Sequence, residues 1–132
     1  METQQLWIEP VYGIILARLR GALTEEILME CQQRVLRLAA DTQQNKVLYD
    51  TLEMEAPSVD LTLIQQKYVE AELGSLNLRR ALVVPNTRVA YLARLAFGEG
   101  DHRVFYNDIE AAFRWLRENE HVSQAPGTVA TQ

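Results

Sequence analysis

Apolar residues occur along this chain in two patterns, as short continuous runs and as longer stretches with helical spacing. Four short runs rich in β-branched residues are typical of buried strands, and they cover residues 11–19, 46–49, 80–84 and 103–106. Residues 6–9 are a candidate hairpin partner of the first run. Pro85 ends the third run, because proline cannot donate a hydrogen bond to a sheet ladder.

The longer stretches between these runs predict four helices. Residues that commonly begin or end helices mark the boundaries of these four helices. The candidate N-terminal caps are, in chain order, Thr24, then Ser58 or Asp60, then Asn86 or Thr87, and finally Asn107 with Glu110. Gly74 is the candidate end of the second helix. Apolar side chains at helical spacing predict the faces that pack on the sheet. They are Ile27, Cys31, Val35 and Leu38; then Leu61, Ile64, Tyr68 and Ala71; then Val89, Leu92, Ala93 and Ala96; and finally Ile109, Ala112, Phe113 and Leu116.

Strands that alternate with helices are typical of an α/β fold with crossover connections. We therefore expect a largely parallel sheet of four to five strands with about four helices, in a single domain spanning residues 1–122. Residues 123–132 are small and polar without periodicity, which predicts a disordered tail. The loop at residues 51–57 follows a strand end, where sites in such sheets are usually found.

The charge balance argues against a nucleic-acid partner. The chain has 18 acidic and 13 basic residues and a net charge of -5, opposite in sign to the surface that binds phosphates. Residues 1–60 hold 10 acids and 5 bases, whereas residues 61–132 hold 8 of each, so the excess acid is N-terminal. The single cysteine, Cys31, excludes an internal disulfide and a multi-cysteine metal site. Residues 1–10 lack the pattern of a signal segment and no apolar run reaches membrane length, so we expect a cytoplasmic protein.

No catalytic, metal or cofactor motif is recognisable. His102 beside Asp101 is a candidate general base, but a solvated loop histidine is the simpler interpretation. The acidic segment Asp50 to Asp60 lacks the spacing of a calcium loop, and Gly98 with Gly100 follows a helix rather than a strand. We therefore expect a protein without catalysis, bound metal or cofactor.

Two features are candidates for binding. Asn86, Thr87 and Arg88 lie where a strand end leads into a helix start, a place that favours anions, although ordinary helix capping also explains the first two. Leu63 and Tyr68 belong to a second helix whose apolar coverage is wide enough for part of it to face a partner or a groove.

Several local stretches resemble the SpoIIAA-like family of small bacterial proteins, which have the fold of STAS anti-sigma-factor antagonists and are similar to lipid-binding CRAL-TRIO domains. Residues 21–26, Gly-Ala-Leu-Thr-Glu-Glu, resemble the family's turn into the first helix, and residues 81–84 resemble the strand before the third. Val104-Phe105 followed by residues 110–116 resembles the family's final strand and helix. The similarity spans roughly residues 11–118 and implies a STAS-like fold.

In the phosphorylated antagonists of that family, a D-S-S-G motif at the start of the second helix carries the regulatory serine. That motif is absent here, and Ser58 occupies roughly its place, so the resemblance makes Ser58 a candidate phosphosite beside its simpler role as a helix cap. Nearby acidic side chains oppose a phosphate at this position.

Two functions from different classes remain open. The first is a regulatory or scaffolding domain that acts by protein contact through the second helix and the loop before it. The alternative is a domain that holds a small apolar or anionic ligand, or a lipid, between the second and third helices near Tyr68, Asn86 and Arg88. A homodimer is compatible with either function, and an enzyme is the third choice.

Overall fold

The computed structural model describes residues 5–72, 78–98 and 101–123. Within these ranges the chain forms five strands and four helices in the order β1 (Leu6–Val11), β2 (Ile14–Gly21), α1 (Glu25–Thr42), β3 (Lys46–Met54), α2 (Val59–Glu72), β4 (Arg79–Val84), α3 (Thr87–Phe97), β5 (His102–Tyr106) and α4 (Ile109–Ser123). The predicted stop at Gly74 and the predicted tail lie outside the described residues, except that Ser123 ends α4.

One five-stranded sheet has the strand order β1-β2-β3-β4-β5. β1 pairs with β2 antiparallel, and every other neighbouring pair is parallel. The hairpin turn between β1 and β2 has two residues with positive φ, Tyr12 at 52° and Gly13 at 80°, as a tight turn matched to strand twist requires. The predicted α/β fold, with its hairpin strand at one side, is confirmed.

The helices cover the two faces of the sheet unequally. Side chains of α1, α2 and α3 form one core with alternate strand residues such as Ile15, Tyr49 and Leu82. Ala112 and Leu116 of α4 form a second core with the intervening strand residues, including Leu48 and Val83. The crossovers after β2, β3 and β4 all step the same way across the sheet, which places their helices on one face.

Helix caps agree with the sequence in three of the four predicted positions. Thr24 Oγ1 accepts from the Ile27 amide at 3.2 Å, Ser58 Oγ from the Leu61 amide at 3.1 Å, and Asn86 Oδ1 from the Val89 amide at 3.0 Å. The fourth prediction is wrong by one residue. Asp108 Oδ1 accepts from the Ala111 amide at 2.9 Å, while Asn107 adopts a positive φ of 53° at the end of β5.

Two further predictions are corrected. β3 does not end near Tyr49 but continues to Met54, so most of the predicted loop is strand and only residues 55–58 connect it to α2. The buried positions of α2 are Thr62 and Val69, whereas the predicted core residues Leu61, Ile64 and Tyr68 are half-buried and Ala71 is exposed. Thr62 can be buried because its hydroxyl donates to the Ser58 carbonyl at 2.8 Å.

None of the helices in the described ranges is both long and apolar enough to cross a membrane.

Candidate functional site

The carboxyl ends of β3 and β4 lead into the starts of α2 and α3, and this edge of the sheet collects most of the residues that the sequence singles out. Ser58 and Asn86 are exposed and cap the two helices, so each side chain already holds a backbone amide. Thr87 and Arg88 are exposed on the first turn of α3. The structure thus places these four residues at neighbouring helix starts.

A hydrogen bond joins α2 to α3 and orients both helices. Gln66 Nε2 of α2 donates to the Leu95 carbonyl of α3 at 3.2 Å. Val59 and Leu63 precede Gln66 by seven and three residues, which places all three on the same side of α2. That side is therefore the flank of α2 that faces α3.

The matching flank of α3 follows from the same contact. Arg88 and Tyr91 precede Leu95 by seven and four residues and share its side of the helix. Both helices follow parallel strands and run side by side. Leu63 lies one turn before Gln66 on α2, and Tyr91 lies one turn before Leu95 on α3.

Four side chains on these flanks are exposed: Val59, Leu63, Arg88 and Tyr91. We call them the α2–α3 surface. The exposed fraction is 46% for Val59, 41% for Leu63 and 61% for Tyr91, values that place three large apolar side chains in water. Clustered exposed apolar residues beside a polar rim are typical of an interaction site. Leu63 and Arg88 could be identified as members of this surface from the sequence pattern. Val59 and Tyr91 could not, because they belong to it only through the packing of α2 against α3.

Tyr68 does not belong to this surface. It lies on the opposite flank of α2, where its hydroxyl donates to Glu25 Oε2 of α1 at 3.2 Å. Partial burial and the neighbouring carboxylate raise the pKa of the Tyr68 hydroxyl. Gln32 of α1 adds a long hydrogen bond of 3.5 Å to the Tyr68 carbonyl. Tyr68 therefore joins α2 to α1, and the structure separates it from Asn86 and Arg88.

A small cavity lies between α2 and the sheet, walled by α1 and α3. Its lining is mostly apolar and includes Leu19, Cys31, Tyr49, Tyr68 and Phe97. The volume is about 50 Å³, enough for a few water molecules, whereas ligand pockets span roughly 300–1,000 Å³. Asn86 and Arg88 do not line it. The structure therefore does not support the alternative of a ligand held near Tyr68, Asn86 and Arg88.

Cys31 lines this cavity as a buried, protonated thiol. Burial raises the pKa of Cys31 to about 12, which leaves almost no thiolate at neutral pH. The predicted placement of Cys31 in the core is confirmed, since its side chain is 5% exposed.

The acidic segment Asp50 to Asp60 is divided between one buried carboxylate and several exposed ones. Asp50 is 5% exposed and accepts from Arg18 Nε at 3.0 Å and from the Leu52 amide at 3.1 Å. Glu53 is exposed and pairs with Arg20 at 2.7 Å. Within the described ranges no group of three or more histidine, cysteine, aspartate and glutamate side chains could hold a metal ion.

His102 and Asp101 each contact another side chain. The Asp101 carboxylate pairs with Arg79 Nε at 3.0 Å, while the His102 ring packs 6.1 Å from the Phe97 ring. Asp101, the candidate partner of a general base at His102, therefore balances the charge of an arginine. His121 lies on α4, in a part of that helix whose side chains are not described.

Comparison with solved structures identifies the fold. An anti-sigma factor antagonist from Mycobacterium paratuberculosis matches with a TM-score of 0.62 and 16% identity, over 85% of this chain and 92% of that one. An uncharacterised protein of the DUF3478 family with a SpoIIAA-like fold, from Shewanella loihica PV-4, matches with a TM-score of 0.59 and 19% identity, over 88% and 98%. The anti-sigma factor antagonist SpoIIAA in its unphosphorylated form matches with a TM-score of 0.56 and 17% identity, over 86% and 96%.

No protein-family model and no curated protein matches the sequence. At identities of 16–19% the structural matches establish the architecture, and the chain has the SpoIIAA-like fold. The resemblance that the local motifs predicted is thus confirmed at the level of the fold.

Proposed function

We propose that this chain is a regulatory or scaffolding domain without catalysis that acts by binding another protein through the α2–α3 surface. The observation that carries this proposal is the exposure of Leu63 and Tyr91 on two packed helices that the Gln66–Leu95 hydrogen bond joins. Two solved structures with the same fold are described as anti-sigma factor antagonists, which supports a regulatory role by protein contact.

The chemistry of the surface suggests what a partner presents. Val59, Leu63 and Tyr91 offer apolar area, and aromatic anchors such as tyrosine contribute strongly to protein interfaces. Arg88 is exposed at one end, and no carboxylate in the described ranges pairs with it. A partner with an apolar side chain for the centre and a carboxylate for Arg88 fits this arrangement.

Ser58 lies one residue before Val59 and is placed to regulate this surface. The Ser58 side chain is exposed to solvent, and its hydroxyl accepts a hydrogen bond only from the nearby Leu61 amide in the described ranges. A phosphate there would sit at the start of α2, where the helix dipole tolerates negative charge. It would also change the charge at the edge of the α2–α3 surface, which is how modification could switch partner binding.

The test is affinity capture from the source organism with matched variants. Leu63→Glu introduces a charge at the centre of the surface, and Met29→Glu does the same on α1, where Met29 is 40% exposed against 41% for Leu63. Both variants should fold, because surface substitutions usually change stability by less than about 0.5 kcal/mol.

We expect at least one protein to be recovered with the wild-type chain and with Met29→Glu but lost with Leu63→Glu. Arg88→Glu should weaken recovery of the same protein. Equal recovery of every protein by all four chains would exclude the α2–α3 surface as the binding site.

A further inference from the structure

The sheet has two edge strands, β1 and β5, and a proline in β1 hinders the pairing of a further strand with that edge. On β1, the Arg20 amide donates to the Gln5 carbonyl at 3.0 Å, so odd-numbered residues direct their backbone groups toward β2. Leu6, Ile8 and Pro10 therefore direct theirs outward. Proline has no N–H, and natural edge strands use it to prevent pairing with another chain.

The edge at β5 lacks such protection. The Arg80 amide donates to the Asp101 carbonyl at 3.0 Å, and the Asn107 amide donates to the Val84 carbonyl at 2.9 Å, so odd-numbered residues face β4. Val104 and Tyr106 consequently direct their N–H and C=O groups outward, and within the described ranges those groups have no hydrogen-bond partner. The strand contains valine, phenylalanine and tyrosine, which favour β structure, and no proline.

The side chains of β5 are complementary to a second copy of the same strand. In an antiparallel pair centred on Val104, Arg103 lies opposite Phe105 of the second copy, at a position without backbone hydrogen bonds where side chains are closest. The Arg103 guanidinium is exposed and already lies 5.6 Å from its own Phe105 ring and 6.0 Å from Trp115. A second Phe105 ring would add another aromatic face to the same cation.

The Arg103 charge has no acidic partner in the described part of the chain, whereas the neighbouring Arg79 pairs with Asp101. The twofold arrangement supplies both Arg103 side chains with aromatic partners at once. It also pairs the outward backbone groups of Val104 with those of Val104 in the second copy, which joins the two sheets into one.

We propose that the chain forms a homodimer by antiparallel pairing of β5 with β5 of a second copy, about a twofold axis at Val104. This interface uses none of the residues of the α2–α3 surface. An experiment can therefore disprove dimerisation without disproving partner binding, and the reverse.

The test compares Val104→Pro with Val104→Thr in the full chain. Proline at this position removes the outward N–H and leaves the ladder to β4 intact, because that ladder uses the odd-numbered residues. Both variants also replace a half-buried valine that packs on the core, so threonine, which keeps the N–H in a side chain of similar shape, is the matched control. Sedimentation velocity over a concentration series measures the monomer–dimer equilibrium, and thermal unfolding checks that each variant folds. Amide hydrogen exchange of the wild-type chain at Val104 gives a readout that needs no variant.

We expect the wild-type chain and Val104→Thr to dimerise with similar constants, Val104→Pro to weaken dimerisation at least tenfold, and exchange at the Val104 amide to slow as concentration rises. A wild-type chain that stays monomeric throughout the series would overturn the proposal. So would a dimer in which Val104→Pro associates as tightly as the wild type, or in which exchange at the Val104 amide does not depend on concentration.

Discussion

Gln66 Nε2 of α2 lies 3.2 Å from the carbonyl oxygen of Leu95 in α3 and donates a hydrogen bond to it. α2 packs mainly on α3 and, less extensively, on α1, while a cavity separates part of it from the sheet. This side-chain contact therefore adds one directional bond to the packing that holds the two flanks of the α2–α3 surface together.

Gln66→Ala should destabilise the chain by roughly 1 kcal/mol, the usual net value of one hydrogen bond. Because the bond connects α2 to α3, amide hydrogen exchange in α2 should accelerate more than exchange in α4. Gln33→Ala, on the exposed face of α1, is the matched control and should leave both quantities unchanged. Unaltered exchange in α2 of the Gln66 variant would show that other packing holds the helix.

Ser58→Ala should lower the free energy of unfolding by roughly 1 kcal/mol, because the Leu61 amide loses its capping oxygen. Ser58→Asp should retain most of the stability, since aspartate is an equally good cap and its charge suits a helix N-terminus. Urea unfolding of the three chains measures the difference. If the alanine variant were as stable as the wild type, the cap would have no energetic role.

Asp50→Ala should cost more stability than Glu53→Ala, although both remove the acidic partner of an arginine on β2. Asp50 is buried and also accepts from the Leu52 amide, and loss of a partner in such a place costs about 1–3 kcal/mol. Glu53 is exposed, and surface ion pairs contribute about 0–1 kcal/mol. Chemical denaturation of the two variants gives the comparison, and the reverse order would contradict it.

The stability of the chain should fall as the pH rises from 9 toward 12. Burial raises the pKa of Cys31 from 9.0 to about 12 and also raises the pKa of Tyr49 above its ordinary value. Above pH 9 the unfolded chain releases the thiol proton while the folded chain keeps it, so each further rise in pH favours unfolding.

Cys31→Ala isolates the thiol contribution. The alanine variant should be less stable at neutral pH because of its smaller side chain, and its stability should decline less steeply between pH 9 and 12. Unfolding measured as a function of pH for both chains makes the comparison. Parallel curves would show that the Cys31 thiol does not titrate with unfolding.

Much of the fold can be predicted from the sequence because the strands are short apolar runs and three of the caps bear the expected side chains. The face of α2 could not be predicted, since apolar residues occur nearly all round that helix. Thr62, a polar residue, takes the buried position because its hydroxyl donates a hydrogen bond to the Ser58 carbonyl, one turn earlier in the chain. The full length of β3 could not be predicted for a similar reason. Thr51 is polar, yet it can be buried within the strand because its hydroxyl donates a hydrogen bond to the Val83 carbonyl at 2.7 Å.

The candidate site was predictable only in part. Ser58, Leu63, Asn86, Thr87 and Arg88 can be identified from helix starts and apolar spacing, and the structure places them on α2, on α3 or at the starts of these two helices. Tyr68 belongs to the same helix but to its other flank, and only the contact with Glu25 reveals this. Val59 and Tyr91 complete the surface because of how α2 packs on α3, which local sequence does not specify.

The most direct test of the proposed protein contact is an equilibrium titration of the captured partner, once purified, with the wild-type chain, Leu63→Glu and Met29→Glu. We expect the dissociation constant to be at least tenfold larger for Leu63→Glu and unchanged for Met29→Glu, with all three chains equally folded by circular dichroism. Equal affinity of the wild type and Leu63→Glu would contradict it.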